Sequence, residues 1–495
     1  MSGVITYSGG AGDGSPVRAW TGGASRLGQR PRRAPRLRAA LPEAQSKSLV
    51  HVLCLVCVWL TIASSGVVFA EPAPVDVLSC GLLLLLPAVG LIVITRSLLA
   101  MLSVWLIIAA LSYLAVGFAP DIKTTTIFTM VSLYLYLAMF IFAAFVARSP
   151  VSHTELILSA WRFAAVVAAA AGIIGYLGLL PGAEAAFTKF GRAAGTFKDP
   201  NVFGPFLVVP VLYALHQVLA RPLRQALVPL AVAGILTLAI LLSFSRGAWL
   251  NLIIALAVFA YLSFVTAPTA GHRARIVTLL MAGMVTLCMV VVIALQDDRI
   301  ASLLSQRATL TQSYDVGPYG RFGGQGKAVD LILDNPLGIG ALVFGTVHHN
   351  EGVHNVYLNM MLNAGWLGGG LFAIMTVMTF GLGLRHMLRA TPTRPLFIVL
   401  FSAFLAHALE GLIIDTDHWR HLYLIMGMMW GLMAVTWHQL PDGGGAGADR
   451  RSGRVVRPAS PTSTGSRSAS AARVATSVAA TGGTIGRSRR APRLV

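Results

Sequence analysis

Residues 296–355 read QDDRIASLLSQRATLTQSYDVGPYGRFGGQGKAVDLILDNPLGIGALVFGTVHHNEGVHN, and apolar runs flank them on both sides. Connections of this length in compact proteins are functional or disordered. This one is patterned rather than low-complexity. It carries Arg321, Lys327, several acids and three histidines among spaced apolar residues. It reads as a folded cap over a site at one face of a membrane.

Outward from that stretch the chain is apolar. Of 495 residues, 56% are hydrophobic and 12% charged, against roughly 25% charged in soluble domains. Runs of about 17 to 25 apolar residues, enough to cross a bilayer as helices, fall near 49–70, 75–95, 98–118, 126–147, 156–180, 203–219, 226–244, 247–266, 276–295, 356–384, 396–414 and 421–438. The short alternating segments of a β-barrel are not seen. The expected fold is all-α, a polytopic bundle of about twelve spans with one large loop, and a transmembrane domain over 49–440.

The net charge of +19 resides mainly in Gly/Ser/Pro/Ala-rich tails, 1–48 and 441–495, whose composition predicts disorder. With a cytoplasmic N-terminus, the inner loops hold Arg96, Arg148, Arg221, Arg224, Arg273, Arg275, Arg385, Arg389 and Arg394. The opposite connections hold Glu71, Asp76, Asp121, Glu184, Asp199, Asp415 and Asp417. Arginine in short inner loops is the positive-inside pattern. It predicts two cytoplasmic tails and a 296–355 loop outside. The tails then meet anionic membrane lipid, and no nucleic-acid partner is expected. Cys54, Cys57, Cys80 and Cys288 sit inside apolar spans and read as packing residues.

Three outer clusters carry candidate chemistry. GRAAGTFKDPN, residues 191–201, supplies Arg192 and Lys198 beside glycines that allow close backbone approach, with Asn201 as an expected helix cap. SFSRGAW, residues 243–249, puts Arg246 at a boundary between two spans, where an ionisable group marks function or snorkels. In the long loop, Arg321 opens a helix expected to reach Leu333, which DNPLGIG terminates. His354-Asn355 then leads into the next span, so His354 is held at a helix start, whereas His348 and His349 are expected on flexible chain. An imidazole titrating near neutrality suits general-base work. Neither His spacing nor HExxH favours a metal, and none is expected. Asp415-Thr416-Asp417-His418-Trp419-Arg420 reads as a solvated polar turn.

Four pieces in order, GRAAGTFKDPNVFGPFL (191–207), LLSFSRGAWLNL (241–252), GRFGGQGKAVDLILDNPLGIG (320–340) and HNVYLNMMLNAGWLGG (354–369), resemble the O-antigen ligase and polymerase superfamily. That resemblance implies a multi-pass glycosyltransferase of the bacterial inner membrane. It would use an undecaprenyl-diphosphate-linked glycan donor, no cofactor and no metal. The acceptor would be lipid A-core for a ligase or another lipid-linked repeat for a polymerase. By matching position it makes His354 the family's catalytic histidine and Arg192 and Arg321 its periplasmic arginines. With the chemistry of the residues themselves, His354 and Arg321 are expected to be catalytic and Arg192, Lys198, Arg246 and Asn355 to bind substrate. The run after Arg321, FGGQGKA, departs from the family by lacking its aromatic-containing polar segment. A transporter for lipid-linked glycan is the reading from another class. It predicts ionisable residues near the midplane of broken helices rather than at one face.

Overall fold

The computed structural model describes residues 49–296, 298, 301, 302, 317 and 320–438. The expected tails, and most of 297–319 in the long loop, lie outside these residues. The described residues, all within the compact unit 1–439, form an all-α polytopic membrane protein.

All twelve expected spans are helices. They are α1 (Leu49–Ala63), α2 (Pro74–Ala88), α3 (Arg96–Val116), α4 (Ile122–Arg148), α5 (Pro150–Tyr176), α7 (Pro200–Ala220), α8 (Leu223–Leu242), α9 (Arg246–Val265), α10 (Ala270–Ala294), α12 (Val356–Met387), α13 (Arg394–Glu410) and α14 (Arg420–His438). Short α6 (Ala183–Phe187) and the loop helix α11 (Arg321–Asp334) complete the set. Among the described residues, nine helices are long and apolar enough to cross a membrane. The other three are apolar helices of 15, 17 and 19 residues, α2, α13 and α14.

Apolarity does not rank these helices by depth. The span on α7 has a hydropathy of 1.8 and is 83% buried, whereas that on α10 has 2.8 and is 6% buried. A helix facing lipid must be apolar all round, whereas one inside the bundle can carry small and polar residues against its neighbours.

Two local devices shape the face that carries the candidate clusters. Between α6 and α7, strands β1 (Thr188–Lys189) and β2 (Arg192–Ala193) pair antiparallel, Lys189 opposite Arg192. Their two-residue turn, Phe190-Gly191, has positive φ at both positions (54° and 68°), the type I′ geometry that suits a tight hairpin. The hairpin delivers Arg192 inward, where it is buried. The second device is a break in α12 at Gly365 (φ 70°, ψ −178°), a conformation essentially confined to glycine. The turn after α11 plugs it. Ile339 and Gly340 donate to the freed Leu362 carbonyl at 2.8 and 3.3 Å, and Trp366 donates through its amide to Pro336 O at 2.9 Å and through its indole to Ile332 O at 2.6 Å. A broken helix of the kind a transporter would use is therefore present, but its freed carbonyl is occupied by the protein's own loop.

Candidate active site

The loop helix runs one residue past the expected end and buries Gly324, Ala328 and Ile332. Ala328 and Ile332 join Phe344, Val353 and Leu362 in a small apolar cluster separate from the main core. Gly324 allows a close approach there, since a Cβ would stand 3.1 Å from the His349 ring. His349 is correspondingly not on flexible chain. It is buried, stacks on Phe344 and takes the Glu351 amide on Nδ1 at 3.2 Å. His348 ends a π-turn, Phe344–His348, and its carbonyl accepts from Lys327.

His354 sits at the mouth of α12 under a specific constraint. Its backbone lies in the left-handed region (φ 54°), which costs a non-glycine residue on the order of 1 kcal/mol. Asp415 holds it there. The His354 amide donates to Asp415 Oδ2 at 3.0 Å and the Asn355 amide to Oδ1 at 3.0 Å, so one carboxylate grips both. Gly352 makes room for the grip, since a Cβ would come 2.9 Å from Oδ2. Asn355 caps α12, accepting from Tyr357 and Leu358 amides, and Gln325 of α11 donates to His354 O at 3.1 Å. On the side chain, His354 Nε2 lies 3.3 Å from Glu351 Oε2. Burial pushes the Asp415 carboxyl upward, while the two amides, the His354 ring and Arg321 draw it back. Arg321, Asp415 and His354 thus share one electrostatic neighbourhood. Arg321 Nε is buried with no hydrogen-bond partner among the described residues.

The other two clusters join in a polar knot. Arg192 Nε donates to Ser243 O at 2.7 Å and its Nη2 to Asn201 Oδ1 at 2.8 Å. Ser245 Oγ donates to the same Asn201 oxygen at 2.9 Å and caps α9, accepting from Ala248 N, so Arg246 is the first residue of that helix. The expected capping role of Asn201 is corrected: Asp199 caps α7, accepting from Asn201 N at 2.8 Å. With Pro200 at the first helical position, the cap falls one residue before the proline and frees Asn201 to bind Arg192. Lys198, half-exposed, pairs with Glu71 at 3.0 Å.

The turn from Glu410 to Arg420 connects the knot to the histidine. Glu410 is buried, takes Asn251 Nδ2 at 2.6 Å, and leaves no room for a Cβ at Gly247 beside Arg246. One residue on, Gly411 O accepts from Val356 N at 2.8 Å, next to His354-Asn355. This turn is not the solvated loop its sequence suggested. Thr416 and Asp417 are buried, Asp417 is pushed up to about 7 by burial and by Asp415, and Arg420 pairs with Asp76 at 2.6 Å. His418 stacks on Phe128 and binds Ser132 Oγ at 2.8 Å. Burial and Arg420 push it down to about 3, leaving it neutral. The signal in the sequence was two acids within three residues, DTD, on the face expected to carry Arg192, Arg246 and Arg321; polarity alone pointed to solvent.

A cleft of about 440 Å³ opens beside these groups, lined by Lys198 and Asp199, by Gly345, Thr346 and Val353, and by Asp415 and Asp417. Of the singled-out residues Lys198 lines it, whereas Arg192, Arg246, Arg321, His354 and Asn355 are not part of the lining. Among the described residues no group of three or more metal-ligating side chains exists.

The sequence pattern of the O-antigen ligase family matches residues 231–373. This match supports the O-antigen ligase superfamily over that stretch. The matched stretch runs from α8 into α12 and contains Arg246, Arg321, His354 and Asn355, whereas Arg192, Lys198, Asp415 and Asp417 lie beyond its ends. No curated protein matches the chain. The family indicates a membrane glycosyltransferase of the ligase/polymerase type.

Proposed function

We propose that this protein transfers a glycan from undecaprenyl diphosphate to an acceptor hydroxyl at the periplasmic face of the inner membrane. The observation that carries this reading is the carboxylate grip on His354-Asn355, with Arg321 beside it and the Arg192/Arg246 knot one turn of chain away. His354 accepts the proton of the attacking hydroxyl. The hydroxyl oxygen bonds to the anomeric carbon as the bond from that carbon to the phosphate oxygen breaks, inverting the centre. The Glu351 carboxylate near Nε2 stabilises the imidazolium so formed.

The departing diphosphate concentrates negative charge, and guanidinium groups bind it through planar forks that do not lose their protons. Arg321 stabilises that charge as it develops. Arg192, Arg246 and Lys198 hold the diphosphate, with Asn355 at the mouth of α12. The residues named for this step need no metal and no cofactor. Lipid A-core is the acceptor expected of a ligase. In a polymerase, a second lipid-linked repeat takes that role.

The test is deletion of the gene followed by gel analysis of surface glycan. Polymer retained on undecaprenyl diphosphate and missing from lipid A-core identifies a ligase; single-repeat products identify a polymerase. An unchanged glycan profile overturns the transferase reading.

A further inference from the structure

The floor of the cleft holds three polar side chains that the proton transfer and the diphosphate leave unused. Asn359 and Asn363 stand one helical turn apart on α12, both lining the cleft. Asp417 lies between that helix and the bundle, 5% exposed. Beyond its own amide, its carboxyl has one partner among the described residues, Asn359 Nδ2 at 3.4 Å. Asn363 is also 5% exposed. Aromatic surface from Phe128, Phe344 and Trp419 completes the lining. A buried amide at Asn363, a half-buried one at Asn359 and a buried carboxyl beside aromatic side chains match a pyranose ring, whose edge carries hydroxyls and whose faces present C–H groups. Polar groups this buried are costly unless something hydrogen-bonds them.

We infer that Asn359, Asn363 and Asp417 form a subsite that binds the hydroxyls of one sugar ring of a glycan substrate. The inference rests on the transferase reading and adds specificity to it: the subsite selects the sugar, while Arg321 and His354 act on the bond. Charge on Asp417 then matters for binding. A neutral carboxyl both donates and accepts, whereas a carboxylate only accepts. The groups facing it are Asp415, His418 and Arg420 on its own turn, and Tyr136 and Tyr423 from α4 and α14. Across the cleft stand Lys198, Asp199 and Glu71. Asp415 and burial both favour the neutral form.

The experiment uses the full chain in lipid nanodiscs, with lipid-linked glycan donor and acceptor extracted from a strain lacking the gene. Steady-state constants are measured for wild type, Asp417→Asn, Asn363→Leu and the milder Asn363→Ser. Inhibition by glycan-free undecaprenyl diphosphate is measured in parallel. Loss of one hydroxyl contact should raise KM for one of the two glycan substrates about 10-fold, with kcat and diphosphate inhibition little changed. Which KM moves identifies whether the donor's or the acceptor's sugar is held. In wild type that KM should change between about pH 6 and about pH 8, and Asp417→Asn should remove the change. The subsite is overturned if both KM values stay within about 2-fold of wild type, or if diphosphate inhibition falls in step with them. Absence of transfer by wild type would instead bring down the transferase reading, and the subsite with it.

Discussion

The histidine side and the arginine side of this site are built on opposite electrostatic plans. His354 is surrounded by acids, with Asp415 on its amide and Glu351 on its ring. Arg192 rests on a backbone carbonyl and an amide oxygen, Ser243 O and Asn201 Oδ1. A group that gains a proton during reaction is helped by carboxylates that stabilise the charged product. A group that must attract an anion is better oriented by neutral acceptors, because a carboxylate would cancel its charge before the ligand arrived. The difference teaches that the two clusters, each a polar patch at a helix end, serve different steps.

The largest effect expected from breaking this contrast is at His354 itself. His354→Ala should lower transfer by about 10²- to 10⁴-fold, while His348→Ala, whose side chain ends a π-turn, should stay near wild type. His349→Ala should lower the amount of folded protein, because its ring fills the space over Gly324. Transfer per mole of purified protein separates these outcomes, and full activity in His354→Ala removes the base assignment.

Next comes the grip. Asp415→Ala leaves two amides without their acceptor and releases His354 from its left-handed conformation. Buried amides lost in this way cost about 1–3 kcal/mol each. Transfer should fall by about 10- to 100-fold, and Asp415→Asn, which keeps one acceptor oxygen, should fall between. Equal activity in Asp415→Ala and wild type would show that the turn holds without the carboxylate.

On the other side, Arg192→Lys should raise the KM for lipid donor by about 10-fold, because a point charge cannot reach Ser243 O and Asn201 Oδ1 together. Asn201→Asp sharpens the comparison. It keeps the shape and puts a carboxylate against Arg192, so donor affinity should drop a few-fold while folding is kept. Unchanged donor KM in Asn201→Asp would dissolve the contrast between the two plans.

The smallest effect is on stability. Asp417 titrates higher in the folded chain than its ordinary 3.8, at about 7. The folded state therefore binds the proton more tightly, and the stabilisation is lost as pH rises through that interval. Asp417→Asn should gain thermal stability relative to wild type as pH goes from about 4 to about 7 and hold the gain above. Melting curves in detergent at three pH values show it, and a constant difference would mean that the carboxyl is ionised throughout.

Much of the site was legible as types of residue at helix boundaries. The helix from Arg321 and the helix start at His354-Asn355 were read from local chemistry, whereas the I′ turn at Phe190-Gly191 and the Ser245 cap before α9 came only with the structure. The acids of the 410–420 turn were not legible, because polar residues in a connection read as solvated whether they face water or a cleft. Nor was the cap of α7. Asp199 and Asn201 are both good caps in isolation, and the choice went to Asp199 because Asn201 is claimed by Arg192 and Ser245 from 9 and 44 residues away.

By itself the sequence determined the all-α, many-helix class and the helix positions. Apolar length is a local, additive property, and the bilayer rewards it residue by residue. It also determined which breaks were possible, since only a glycine such as Gly365 tolerates the geometry there. Tertiary structure alone decided which helix is buried and which acid meets which amide. The less apolar α7 lies inside and the more apolar α10 outside because depth depends on neighbours, not on hydropathy. Asp415 reaches His354 across 61 residues of chain. A hydrogen bond of that kind depends on angstrom-scale placement by packed helices, and no pattern along the chain encodes it.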